Sequence, residues 1–441
     1  MSYSREQTVF SLCMAANAVA DIQAVKGETG DRTELTEYMK IALSGGDLKA
    51  ASQDGAFKDW NGPVWKGFFP EQDAILDGGD WKVVWGPSVY VEHPNEDKLG
   101  LRGYAANSMY VAYSAARSTY VLAIAGTNPK NLSDWTEEDL DVQVNKTAKW
   151  PLQLPFDPDV KHKDYSTEDP QVSGSTAFGI SNLLTKMKDP TTGLTVDTFL
   201  EQSASSADTL VFTGHSLGGA LAPSLAFHLY PSPPEKWANI EIYPYAGPTP
   251  GNAAWLTKFE SAYPSVQDYM NIHDVVPHGW NEIDVIISER KTALTDNGSG
   301  IAKGEEYYDS IFGVIRASKT YSGVGEAMTA MVATLKGRPD GVGYANITHN
   351  KHGAEDFSQN WGKFNWSHPL ENTNYVINID PEWQEWPTFT LENPITVTNP
   401  DYDADLKIPA SQIGNLIYAT HIYQYYSFMD VTPVQMLPAV K

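Results

Sequence analysis

The chain opens on an apolar run, Val9, Phe10, Leu12, Cys13, Met14 and Ala16, interrupted by the polar Gln7 and Asn17. The pattern predicts a first amphipathic helix. The run ends in Ala18-Val19-Ala20, a faint likeness to a secretory signal. Arg5 is the only basic residue before it and Glu6 offsets that charge, so the reading as a helix is preferred. Residues 1–80 are read as one or two helices and a turn-rich stretch around Asp59-Trp60-Asn61-Gly62-Pro63. From about 82 the character changes. Strands are predicted over 82–92, 109–114 and 120–125, the last two rich in Tyr, Val and Ile and separated by a hairpin-like spacer. Residues 128–172 carry five prolines and many charges and read as a long surface loop. Helices follow over 178–188 and 196–203, a short apolar strand over 210–213, a helix over 217–229, and buried strands over 240–245 and 266–272. Strand–helix–strand alternation implies a parallel sheet with right-handed crossovers.

Residues 279–404 break this rhythm with Gly-rich turns, an amphipathic helix near 324–335 and a Trp- and Pro-rich stretch. A regular apolar element returns at 413–426. The expected organisation is an N-terminal helical extension, 1–80, packed on a core formed by 81–278 and 405–441. An insertion at 279–404 covers one side of that core as a cap.

Charge and cysteine count narrow the function. With 31 Lys+Arg against 55 Asp+Glu in 441 residues, the net charge is −24. That argues against nucleic acid as a partner and against tight binding to anionic membranes. The single cysteine, Cys13, rules out an intrachain disulfide and any multi-cysteine metal site. No run of about 18 apolar residues offers a membrane span. The expected location is cytoplasmic, or outside the cell by a route without a cleaved N-terminal signal.

Gly214-His215-Ser216-Leu217-Gly218 fits G-x-S-x-G. An apolar strand, Leu210-Val211-Phe212, leads in, and small residues, Gly218-Gly219-Ala220, lead out. A strand-to-helix turn this tight needs neighbours without side-chain bulk. It lifts the Ser216 hydroxyl clear of the sheet at a helix N-terminus, where the dipole and the Leu217 N–H can stabilise an oxyanion.

The segment 214–220 with its flank Leu221-Ala222-Pro223 resembles the elbow of the class 3 lipases, α/β-hydrolases related to filamentous-fungal triacylglycerol lipases. Three other segments agree in order and spacing. Val121–Thr127 resembles the family's strand ending in an oxyanion loop, with Asp134-Trp135 seven residues later. Ile242–Asn252 resembles the strand end Phe-Gly-x-Pro-x-x-Gly-Asn, and Val266–Pro277 the acid loop Asn-x-x-Asp-x-Val-Pro. The likeness covers about 110–278, and the last 40 residues in part. Departures are Ala125 where the family has Arg, Ala246 where it has Gly, and the missing cysteines of the fungal disulfides. The resemblance implies an α/β-hydrolase with a mostly parallel central sheet.

A serine hydroxyl needs a general base, and the base needs an anion to hold its tautomer. In α/β-hydrolases the chain order is Ser, acid, His. Asp274 stands 58 residues after Ser216, past an apolar strand, and is the expected acid. His273 and His278 flank Asp274 too closely in the chain to serve as its base without an unusual loop, which leaves His349, His352, His368 and His421. The resemblance favours His421, whose surroundings are apolar and aromatic like the family's C-terminal histidine; His352 and His349 stay open. It also assigns Thr127 as the second oxyanion donor beside Leu217.

The expected function is carboxylic ester hydrolysis, with acylglycerol lipids as substrate and no metal or organic cofactor. Alternatives on the same fold are a phospholipase A-type effector and a feruloyl or carbohydrate esterase; a non-catalytic lipase-like interaction protein is the alternative of another class. Transient contact with a lipid interface is expected. The lid candidates are the helix near 324–335 and the loop at 128–172, where Trp135 and Trp150 stand out.

Overall fold

The computed structural model describes residues 2–20, 22–92, 103–126, 147–157, 166, 168–271, 274, 276–277 and 419–438, with the strand pieces 344–345, 354–355, 395–398 and 405–408. Helix α1, Arg5–Ala15, starts at a capping box: Ser4 accepts the Gln7 N–H, and the Gln7 side chain accepts the Ser4 N–H. The helix is not amphipathic as its sequence suggested. Every residue from Thr8 to Ala15 is buried, because one face lies on the sheet and the other meets the C-terminal helix. Phe10 shows both contacts, with its ring centroid 5.0 Å from that of Tyr245 and 5.0 Å from that of Tyr426, edge to face. The apolar run that faintly resembled a signal is therefore core. Helix α2, Glu34–Ser44, follows, and the short helices Leu48–Ala51 and Phe68–Gln72 bring the region before residue 80 to more helices than predicted.

Five strands form the central sheet in spatial order β1-β2-β3-β4-β5: Lys82–Tyr90, Asn107–Ser114, Thr119–Ile124, Thr209–His215 and Asn239–Tyr245. The first three form an antiparallel meander, and β3, β4 and β5 run parallel. A parallel bridge from Tyr245 to Tyr269 extends this half, and Met270–Asn271 pairs in parallel with Ala354–Glu355. The strand predicted over 266–272 is thus shorter as a ladder. It is held to β5 by Gln267 N–H on the Ile242 carbonyl and Tyr269 N–H on that of Pro244. The crossovers are helical. Helices α3 (Gly174–Thr185) and α4 (Val196–Ser203) lie between β3 and β4, α5 (Leu217–Leu229) lies between β4 and β5, and α6 (Ala253–Ala262) follows.

Side-chain alternation explains why both faces are dry. Val121, Ala123, Val211, Tyr243 and Tyr245 face α1 and the C-terminal helix α7, Gln424–Met429. Leu122, Ile124, Leu210, Phe212, Ile240 and Ile242 face α3, α5 and α6. A strand covered on both faces must read as a near-continuous apolar run, which is how β3 and β4 read. The α/β-hydrolase architecture expected from the sequence is the one observed.

The 128–172 region is not all loop. Ala148–Lys149 pairs with Gln171–Val172, and Trp150 stacks on Phe227 of α5 with centroids 5.2 Å apart and planes 15° apart. Trp150 therefore contributes to packing. Trp135 and the helix expected near 324–335 lie outside the described residues.

Candidate active site

Strand β4 lies between β3 and β5, with Gly214 opposite Ile124 on one side and Pro244 on the other. The chain then turns at Ser216 into α5. Ser216 has φ 60 and ψ −130, a left-handed conformation for a residue with a side chain. Such strain costs on the order of 1–3 kcal/mol and persists only where the surroundings enforce it. The enforcement is visible: the Ser216 N–H donates to the Tyr245 carbonyl at 3.0 Å, and the Ser216 carbonyl accepts the Gly219 N–H at 2.7 Å. The turn closes so tightly that a Cβ on Gly214 would lie 2.2 Å from the Gly218 carbonyl oxygen, and one on Gly218 would lie 2.5 Å from that of Ile124. Both positions therefore require glycine, as the elbow reading demanded. Leu217 begins α5, so its N–H stands at the positive end of the helix dipole, next to the serine. Ala246, where the family has Gly, adopts φ 53. Its N–H is held by the Tyr269 carbonyl at 2.9 Å, and the conformation costs an alanine about 1–2 kcal/mol.

Asp274 is fully buried, and its carboxylate accepts three hydrogen bonds from described residues. Oδ1 takes the Val276 N–H at 3.0 Å; Oδ2 takes His421 Nδ1–H at 2.7 Å and the Tyr425 hydroxyl at 3.0 Å. Tyr425 in turn accepts the Asn271 N–H at 2.9 Å, so the acid loop and α7 are cross-linked. His421 sits in a π-helical turn, Ala419–Tyr423, that runs straight into α7, and its side chain is 12 % exposed. Such turns recur at functional sites. With Nδ1–H held by the carboxylate, the neutral ring presents a lone pair at Nε2.

The last residue of β4 reinforces this arrangement. His215 Nε2–H donates to the His421 carbonyl at 2.7 Å, and the two ring centroids are 4.6 Å apart. Burial pushes the His215 pKa well below its ordinary value, and the neighbouring His421 pushes it the same way. His215 is accordingly a neutral donor, not a second base.

Of the sequence candidates, Gly214, His215, Ser216, Leu217 and Gly218 stand in the elbow as expected, and Asp274 and His421 are hydrogen-bonded to each other. Thr127, His349, His352 and His368 lie outside the described residues. Sequence reading had not given Tyr425 a role. The available signal was its spacing of four from His421, which places both on one helix face.

Comparison with known proteins agrees with this geometry. Residues 121–282 match the family model for lipase (class 3). Among solved structures, M37 lipase is similar with a TM-score of 0.52 at 20% identity, covering 97% of this chain and 93% of that one. This likeness shows the fold. Lipase from Rhizopus microsporus var. chinensis scores 0.31 at 17% identity over 46% of this chain and 57% of that one. Rhizomucor miehei triacylglyceride lipase scores 0.31 at 17% identity over 46% and 63%. No curated protein sequence matches. The fold and the elbow define an α/β-hydrolase. Within that fold, residues 121–282 are similar to the class 3 lipases.

Proposed function

We propose that the protein hydrolyses acylglycerol esters through Ser216, His421 and Asp274 and a covalent acyl-enzyme. The observation that carries this reading is the 2.7 Å bond between His421 Nδ1 and Asp274 Oδ2, made across 147 residues of chain. Two groups so far apart in sequence meet at the sheet edge that presents a strained serine.

Ser216 Oγ attacks the ester carbonyl carbon while its proton passes to His421 Nε2. Asp274 holds the tautomer and stabilises the imidazolium. The Leu217 N–H supports the oxyanion, with Thr127, by resemblance, as the second donor. The carbon–oxygen bond to the alcohol breaks, and the alcohol leaves with the proton from His421. Water then attacks the acyl-enzyme, gives its proton to His421, and releases the carboxylic acid as Ser216 recovers its hydrogen. Lipid over small soluble ester rests on the likeness of residues 121–282 to the class 3 lipases. The division into an N-terminal extension (1–80), a core (81–278 with 405–441) and a cap (279–404) is part of the same proposal.

The test is hydrolysis of nitrophenyl esters from acetate to palmitate by the native protein and by Ser216→Ala. Activity that rises toward long chains and disappears in the variant supports the proposal. Equal activity in the variant overturns the nucleophile. A preference for acetate overturns the lipid substrate alone, and phospholipid hydrolysis exceeding that of acylglycerol moves the headgroup.

A further inference from the structure

Asn17 follows α1 in a run of tight turns, outside the segment matched by the family, and its side chain is buried. Its amide is bonded at both ends: Oδ1 accepts the Gly126 N–H at 3.0 Å, and Nδ2 donates to the Met14 carbonyl at 3.3 Å. Donor and acceptor needs on the two sides thus set the orientation of the amide. Gly126 lies just past β3. Ala125 makes the last link to β2, its N–H on the Ser108 carbonyl at 2.9 Å. One residue later Asn17 takes over as acceptor.

The other side of Gly126 faces the nucleophile. A Cβ there would lie 2.7 Å from the His215 carbonyl oxygen and 2.8 Å from Ser216 Cβ. The strand end is therefore clamped between a side chain from the turns after α1 and the elbow. From this juxtaposition we infer that Asn17 is a positioning residue for catalysis: it sets where the end of β3 stands against Ser216. The Gly126 N–H is taken by Asn17 and is not an oxyanion donor. The inference rests on the proposed role of Ser216. It makes residues 1–20 part of the active-site scaffold.

The expected signature separates positioning from stability. Oxyanion and nucleophile geometry enters the transition state more than the ground state, so a misplaced strand end lowers kcat and spares KM. Displacements of about 1 Å lower rates by roughly 100-fold. Asn17→Leu removes the acceptor at similar volume, and Asn17→Asp keeps an acceptor. Val9→Ala, on a buried position of α1 away from the site, is the stability control.

With a nitrophenyl ester as substrate, below the melting temperature of every variant, Asn17→Leu should lose about 10–100-fold in kcat with KM changed less than about threefold. Asn17→Asp should recover most of that loss, and Val9→Ala should keep kcat within about threefold while lowering Tm. The rate of Ser216 phosphonylation by a fluorophosphonate, followed by intact-protein mass, should fall in step with kcat. If Asn17→Leu keeps native kcat, or loses no more than Val9→Ala at equal Tm, the inference is overturned while Ser216→Ala still abolishes activity. If Ser216→Ala retains activity, it is the nucleophile assignment that fails.

Discussion

His215 Nε2–H donates to the backbone carbonyl of His421, 2.7 Å away across 206 residues. The bond joins the end of the central strand to the π-helical turn that carries the proposed base. It works only with a neutral ring at His215, because a second charge would lie beside the imidazolium that His421 becomes. The protein secures neutrality by burial, which lowers the His215 pKa well below 6.5.

That shift fixes the sign of one pH effect. Below pH 6.5 the unfolded chain binds a proton at residue 215 and the folded chain does not, so stability falls as pH falls, down to the folded pKa. The slope is about 1.4 kcal/mol per pH unit from this one group. His215→Gln, which still offers an N–H to the carbonyl, should be less stable at pH 8. It should lose less stability than the native protein as pH falls from 6.5 to 5, as urea unfolding at both pH values would measure. Parallel pH dependences in the two proteins would show that His215 takes up a proton in the fold.

Tyr425→Phe deletes one donor to the buried Asp274 carboxylate and the hydroxyl that accepts the Asn271 N–H. Hydrogen bonds to charged groups contribute about 1.5–3 kcal/mol, so unfolding free energy should fall by that amount. A looser acid gives a less well oriented base, and kcat should drop by roughly tenfold with little change in KM. Stability and kcat both unchanged would mean that His421 and the Val276 N–H hold the carboxylate without Tyr425.

Trp150 stacks on Phe227 and meets Trp255 edge to face at 6.0 Å. Trp150→Ala should therefore lower stability, by about 2–4 kcal/mol, and leave the acyl-chain preference of ester hydrolysis unaltered. A shifted chain-length optimum at unchanged Tm would return Trp150 to the role of a lid residue.

Cys13 is fully buried, and desolvation pushes its thiol up to about 12 against a weaker downward pull from Thr213. The thiolate is the reactive species, so a disulfide reagent at pH 8 should label the folded protein negligibly and the urea-unfolded protein within minutes. Rapid labelling without denaturant would show that α1 opens from the sheet.

Much of the catalytic half was readable from residues alone, and for local reasons. The elbow is a seven-residue device whose glycines answer to atoms a few residues away, as Gly214 and Gly218 show. Beside it, β3, β4 and β5 read correctly because strands dry on both faces must be apolar throughout. Helix α1 was legible as a helix, but its burial on every side was not: hydrophobic spacing reports local period, and coverage by both sheet and α7 is a long-range fact. Trp150 lies in a bend, as the loop reading expected, but its packing on Phe227 and Trp255 was not legible because those partners are far along the chain.

The sequence by itself determined the chemistry available: a serine in an elbow, an acid after a strand, and a short set of histidines in the required order. Only the tertiary structure shows His421 bonded to Asp274. It also brought His215, Tyr425 and Asn17 to the same site. Each of those contacts depends on the packing of elements remote in the chain, and no local pattern encodes a distance across the sheet.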